Sequence, residues 1–120
     1  MSLRQGERWE AFARAYLERR GLEVLKSRYR CRLGELDLVC RDGREIVIVE
    51  VRARAAGSMV PAAHSIGEHK RRRIVLATRH LLMRHAQWAR APLRFDVVAI
   101  DAIDTAEPKV DWIKHAFDAG

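Results

Sequence analysis

Residues 34–54, GELDLVCRDGREIVIVEVRAR, constrain the fold more than any other stretch of this chain. Leu36, Leu38 and Cys40 alternate with Glu35, Asp37 and Val39, the two-residue period of a strand. The run from Glu45 to Val51 is rich in Ile and Val, as a second strand requires. Between them lies Arg41-Asp42-Gly43-Arg44, and Asp-Gly is the favoured centre of a two-residue type I′ hairpin. With Asp42 and Gly43 as the loop, Arg41 is expected opposite Arg44, Val39 opposite Ile46, Asp37 opposite Ile48 and Glu35 opposite Glu50. Glu35, Asp37, Glu50 and Arg52 then share one face, because side chains alternate along each strand.

Like charges set directly opposite each other destabilise a sheet. The cluster therefore calls for a bound cation, a nearby Arg or Lys, or a proton shared between the acids. A hard divalent metal with oxygen ligands is the simplest of these. A solvated hairpin would carry such acids at no cost, but Glu50 interrupts the apolar run Ile46–Val49 and precedes Val51. It is expected to be partly buried, and a carboxylate that bears a desolvation cost points to a functional site.

At 120 residues the chain has the length of a single domain, 1–120, with a core of its own. Its net charge of +7 and pI near 10.2 favour a polyanionic partner, with an anionic membrane surface as the competing one. Cys31 and Cys40 fit no zinc or redox spacing and read as small core residues. No apolar run approaches the ~20 residues of a membrane span and no signal-peptide core is visible, so a cytoplasmic location is expected.

From Ser2 to Arg20, Trp9, Phe12, Ala13, Tyr16 and Leu17 recur at helical spacing and Gly21 ends the run. Glu10 borders that apolar stripe and faces inward, or pairs with Arg14 one turn on, while Glu7 lies towards solvent. Leu22–Cys31 reads as a first strand with Arg28, Arg30 and Arg32 along one side. Ala53–Ala63 is a loop, and Ser65 with Glu68 has the form of a capping box. The helix that follows runs to about His85 on Ile74, Ala77, Thr78, Leu81 and Leu82. It opens with Lys70-Arg71-Arg72-Arg73, cations that oppose the helix dipole but suit a phosphate ligand or a solvated face. His64 and His69 flank this basic start. Ala91–Asp101 is a further strand in which Asp96 faces out or pairs with an Arg, and Val110–Phe117 docks a last short strand through Trp112, Ile113 and Phe117.

The order helix, strand, carboxylate hairpin, helix, strand resembles the PD-(D/E)xK nuclease pattern. More closely, the chain resembles the YraN-type UPF0102 family of small bacterial proteins, grouped with the restriction-endonuclease-like, Holliday-junction-resolvase-like fold. The residues that carry the match are Glu10-x-x-Ala13-x-x-Tyr16-Leu17 with Gly21, Gly34-Glu35-Leu36-Asp37-Leu38, Val49-Glu50-Val51-Arg52-x-Arg54, Lys70-x-x-Arg73, Arg94-Phe95-Asp96 and Ala116-Phe117. They extend over nearly the whole chain. The resemblance implies an α/β fold, a central mixed β-sheet flanked by helices with a restriction-endonuclease-like core. It further implies a site of Glu10, Asp37 and Glu50, in which Asp37 and Glu50 hold Mg²⁺ or Mn²⁺ and water attacks a phosphodiester.

One departure bears on the chemistry. The nuclease pattern has Lys two residues after the Glu, where this chain has Arg52. Arginine stays protonated and cannot act as a base, although it can steady a developing negative charge. Lys70 also matches a family position and is the candidate for the missing amine. Lys70, Arg71, Arg72, Arg73 and Arg54 are the expected nucleic-acid contacts. The leading expectation is a metal-dependent nuclease acting on branched or structured DNA, with symmetric strand cutting admitting a homodimer. The rivals are a non-catalytic nucleic-acid-binding module and an interaction subunit of a DNA-processing complex.

Overall fold

The computed structural model of the chain describes residues 3–119, so the expected helix start at Ser2 lies outside the described residues. Helix α1 (Leu3–Arg19) precedes three consecutive strands, β1 (Glu23–Cys31), β2 (Gly34–Asp42) and β3 (Glu45–Ala53). A 3-10 turn (Ala62–His64) leads to α2 (Glu68–Arg84), the one-turn α3 (Ala86–Ala89), β4 (Leu93–Asp101) and β5 (Lys109–Phe117). The last strand is as long as the others, where the sequence suggested a short one. All five strands form one sheet in the order β1-β2-β3-β4-β5, antiparallel except for the parallel β3–β4 pair. This is the expected mixed sheet with flanking helices. Parallel neighbours require a crossover, and the segment carrying α2 supplies it.

α2 packs on one face, where Ile74, Ala77 and Leu81 meet Leu36, Val39, Ile46, Ile48, Phe95 and Val97. α1 packs on the other, where Trp9, Ala13 and Leu17 meet Leu38, Cys40, Val47, Val49, Val98 and Ile100. β3 and β4 are thus covered on both sides, which is why they read as apolar runs instead of alternations. Phe12, expected in the buried stripe of α1, stands 37% exposed with its ring edge-on to Trp9. α1 closes as a Schellman turn: Gly21 adopts φ +94°, its N–H donates to the Glu18 carbonyl, and the Leu22 N–H donates to that of Leu17.

The hairpin forms with a different register. Asp42 pairs with Glu45 and Val39 with Ile48, so the loop is Gly43-Arg44 and every partner moves by two residues. Gly43 has φ +61° and Arg44 does not share that sign, which fits a type II′ turn with glycine first and not the expected I′. A side chain from far away in the chain spans this hairpin end. The guanidinium of Arg94, buried in β4, donates to Asp42 at 3.0 Å and Glu45 at 2.9 Å, clamping these two acids across the hairpin end. It also holds both oxygens of Asp96 at 2.9 Å. Asp96, fully buried, accepts further from Trp112 Nε1 and the His115 N–H, which ties β5 to β4. Asp96 therefore does not face out; it pairs with an arginine.

Strict alternation fails at Asp37. Leu36 joins the α2-side core and Leu38 the α1-side core. Across from Asp37, between the Ser27–Leu38 and Tyr29–Leu36 pairs, Arg28 takes φ +53°. The three arginines of β1 consequently do not line one side: Arg28 turns to α1, Arg30 pairs with Glu35, and Arg32 lies beyond the strand.

The capping box does not form. Gly67 is the N-cap of α2, while the Ser65 hydroxyl donates to the Ala62 carbonyl and accepts from Arg52 Nε at 2.8 Å. A long-range arginine has taken the hydroxyl that a local cap would use. α2 lies close on β2: a Cβ at Gly34 would stand 2.9 Å from the Arg73 carbonyl oxygen. Removing Arg94 leaves Asp96 buried without its cation, so Arg94→Ala is expected to cost about 3–5 kcal/mol in denaturant unfolding, far more than Arg44→Ala at the exposed turn.

Candidate functional site

The β2–β3 ladder ends at Leu38–Val49, and the same register carried one step on sets Asp37 opposite Glu50. Here β2 parts from β3, and Asp37 Oδ2 accepts the Val51 N–H at 2.8 Å in place of a ladder carbonyl. The acid that faces Glu50 is therefore Asp37. Glu35, expected opposite Glu50, is exposed and bound to Arg30 at 3.3 Å, outside the cluster.

Glu50 is only 2% exposed, deeper than its sequence context suggested, because β3 is central and covered by both helices. Lys70, in the first turn of α2, brings Nζ to 3.3 Å from Glu50 Oε1. Glu10 enters from α1, with Oε2 at 3.3 Å from Arg28 Nε. Its partner is thus Arg28 and not Arg14, which pairs with Glu18 instead. Arg28 also binds Glu7 at 3.1 Å, fastening α1 to the sheet edge beside the site. Nothing local in the sequence marks this role, since it follows from the left-handed backbone at Arg28.

Glu10, Asp37, Glu50, Arg52 and Lys70 line one cleft of about 180 Å³ with Trp9 at its side. The five residues drawn from α1, β2, β3 and α2 as catalytic candidates are brought together. Arg52 Nε and Nη2 are engaged with the hydroxyl and carbonyl of Ser65, which leaves Nη1 for the cleft. The basic residues separate. Lys70 enters the cleft, whereas Arg71 donates to the Ile66 carbonyl and lies over Phe117 on the far flank of α2. Arg72 borders that same flank groove. Arg73 donates to the Leu33 carbonyl, and Arg54 borders a pocket next to the cleft with Arg8 and Ser58.

Burial pushes the Glu50 carboxyl up to about 8, the charge of Asp37 adds to that, and Lys70 opposes it. Asp37 is raised as well, chiefly by burial, with the Val51 N–H and Lys70 pulling the other way. Burial and then Asp37 raise Glu10. Burial pushes the Cys40 thiol up to about 12, consistent with an inert core residue. Two buried carboxylate oxygens in the cleft, Glu10 Oε1 and Glu50 Oε2, have no hydrogen-bond partner. Among the described residues no group of three or more His, Cys, Asp or Glu side chains stands ready to hold a metal. Asp37 and Glu50 are the two facing carboxylates that the cleft would offer a hard divalent cation.

The sequence model described as "Uncharacterised protein family UPF0102" matches residues 9–100, which include Glu10, Asp37, Glu50 and Lys70. A UPF0102 protein of Pseudomonas aeruginosa is 45% identical over 116 residues, 96% of this chain and 93% of its own length. One from Ectopseudomonas mendocina is 46% identical over 114 residues, covering 95% of this chain and 94% of its own. One from Legionella pneumophila is 38% identical over 120 residues, 100% of this chain and 99% of its own.

The raised Glu50 pKa fixes the sign of a stability dependence. The folded state holds the proton to about 8, whereas an unfolded glutamate releases it near 4.5. The contribution is fully present below 4.5 and is lost as pH rises through 8. Between pH 5 and 9 the wild type is expected to lose more unfolding free energy than Glu50→Gln, by on the order of a few kcal/mol, as read from denaturant titrations at each pH.

Proposed function

The chain belongs to the UPF0102 family, and from the chemistry of its carboxylate cleft we propose that it is a metal-dependent nuclease with a PD-(D/E)xK-type, restriction-endonuclease-like core, hydrolysing phosphodiesters in branched or structured DNA. The observation that carries this reading is the convergence of Glu10, Asp37 and Glu50, each carboxyl raised by burial, with Lys70 in one cleft that opens to solvent. Buried acids gathered in a cleft are groups kept for a ligand. Asp37 and Glu50 would hold Mg²⁺ or Mn²⁺, which supplies Lewis-acid activation of water and neutralises charge at the phosphate.

The remaining roles belong to the chain itself. Glu10, tethered by Arg28, orients water at the α1 side of the cleft. Lys70 Nζ, beside Glu50, is the one amine lining the cleft among the described residues and serves where the pattern's lysine is replaced by Arg52. It holds water and stabilises the negative charge that develops on the phosphoryl oxygens. Arg52, permanently charged, adds electrostatic stabilisation from Nη1 and braces the lead-in to α2 through Ser65.

A second reading rests on a different observation. Glu50 holds its proton to about 8 and has Lys70 Nζ at 3.3 Å, so the acids of the cleft are compensated without a metal. This favours a non-catalytic nucleic-acid-binding module.

The test is cleavage of labelled branched, flapped and linear DNA with Mg²⁺, Mn²⁺ or EDTA. Metal-dependent cutting is expected, reduced to background in Asp37→Ala and by about 10²-fold or more in Lys70→Ala. Mn²⁺ is expected to raise the melting temperature of the wild type but not of Asp37→Ala. Salt-sensitive DNA binding without cutting, unchanged in Asp37→Ala, would establish the non-catalytic module.

A further inference from the structure

Lys70, Arg73, His80 and Arg84 recur along the border of α2 with the sheet as two basic pairs, separated by Ala77, which is fully buried in the core. The contacts of this stripe show which way it faces. Lys70 meets Glu50, Arg73 donates to the Leu33 carbonyl in the β1–β2 turn, and His80 Nδ1 meets the Tyr29 hydroxyl of β1. The stripe thus leads out of the carboxylate cleft, across β2, to the β1 edge of the sheet. Arg71, Arg72 and Arg79 take the other flank, by Phe117.

Where the stripe ends, Arg84 and His80 meet Arg30 and Arg32 around a concave groove of about 450 Å³. Among the described residues the only acid paired with any of these arginines is Glu35, on Arg30. Among the described residues no carboxylate lies at ion-pair distance from Arg32, Arg73 or Arg84. The macrodipole accounts for an arginine in the last turn of α2. It does not account for Arg32, which enters the same groove from another element.

We propose that this stripe and groove form a phosphate track, in which the sugar–phosphate backbone of a nucleic acid leaves the carboxylate cleft along α2 and is held at the β1 edge by Arg32 and Arg84. At 1.5 Å per residue the helix from Lys70 to Arg84 spans about 21 Å. Each strand of a duplex carries a phosphate per 3.4 Å of helix axis, so a duplex lying along α2 would present about six phosphates of one strand over that length. Arginine forks suit phosphate oxygens, and a groove fits a ridge of phosphates better than a flat bilayer surface does. His80, whose Nδ1 meets the Tyr29 hydroxyl, adds a further polar ring at the groove.

The track rests on the nucleic-acid part of the proposed function but not on turnover. Its test is fluorescence-anisotropy binding of a labelled DNA duplex from 50 to 300 mM salt, in an Asp37→Asn background that removes cutting. Arg32 and Arg84 are exposed, so Arg32→Gln/Arg84→Gln is expected to keep the parent's melting temperature to within a few degrees. Two phosphate contacts are lost, and the slope of log K against log salt should become shallower by about 2. An unchanged slope and affinity in the double variant would overturn the track while leaving DNA binding intact. Tight binding to vesicles containing phosphatidylserine that the double variant loses, with weak binding to DNA, would overturn it in favour of a membrane surface. Absence of salt-dependent DNA binding in the parent itself would remove the nucleic-acid reading and the track together.

Discussion

The parallel pairing of β3 with β4 sets the terms for the rest of the molecule. It obliges the chain to leave the sheet after Ala53 and return at Leu93, and α2 is laid across one face on the way. α1 is then left to cover the other face, so the middle of β3 is sealed on both sides. A carboxylate at Glu50 in such a strand lacks the solvation it would have on a surface hairpin. Its neighbours answer that in protein terms: Lys70 from α2, Asp37 where β2 peels away, and an oxygen that still has nothing to bind. The cleft is thus a consequence of topology. The same crossover that buries Glu50 also delivers the cation that faces it.

The existence of the hairpin, the two helices and the acidic character of the site were legible because each rests on a local pattern. Alternation marked β2, an unbroken apolar run marked β3, and helical spacing put Glu10 on the inward border of α1. What could not be read was decided by arginines acting over long sequence distances. Arg94 clamps Asp42 to Glu45 across a turn displaced by one residue and a register displaced by two. That shift makes Asp37, and not Glu35, the counterpart of Glu50. Arg52 takes the Ser65 hydroxyl, and the capping box gives way to Gly67. Arg28 adopts a backbone conformation rare outside glycine, and its side chain reaches α1 where alternation would have sent it elsewhere.

The same arginines show how a basic chain can be internally ordered. Arg94 is consumed by three acids, Arg28 by two, and Arg30 by one. The positive charge left over is not spread evenly. Part of it lies on the two flanks of α2, and one of these flanks borders the cleft through Lys70. Net charge alone would not have distinguished the flanks; helical phase does.

The two outer strands carry a consequence for assembly. A sheet edge recruits a second chain when it offers a straight, regular row of amide and carbonyl groups. β1 is kinked by a register shift between Val24 and Lys26 and again by Arg28, and β5 by the irregularity opposite Phe95–Val97 and by His115 at φ +52°. Lys26, Lys109 and Lys114 add like charge along these borders. Neither border offers the straight, regular row of backbone groups that a neighbour's strand would extend.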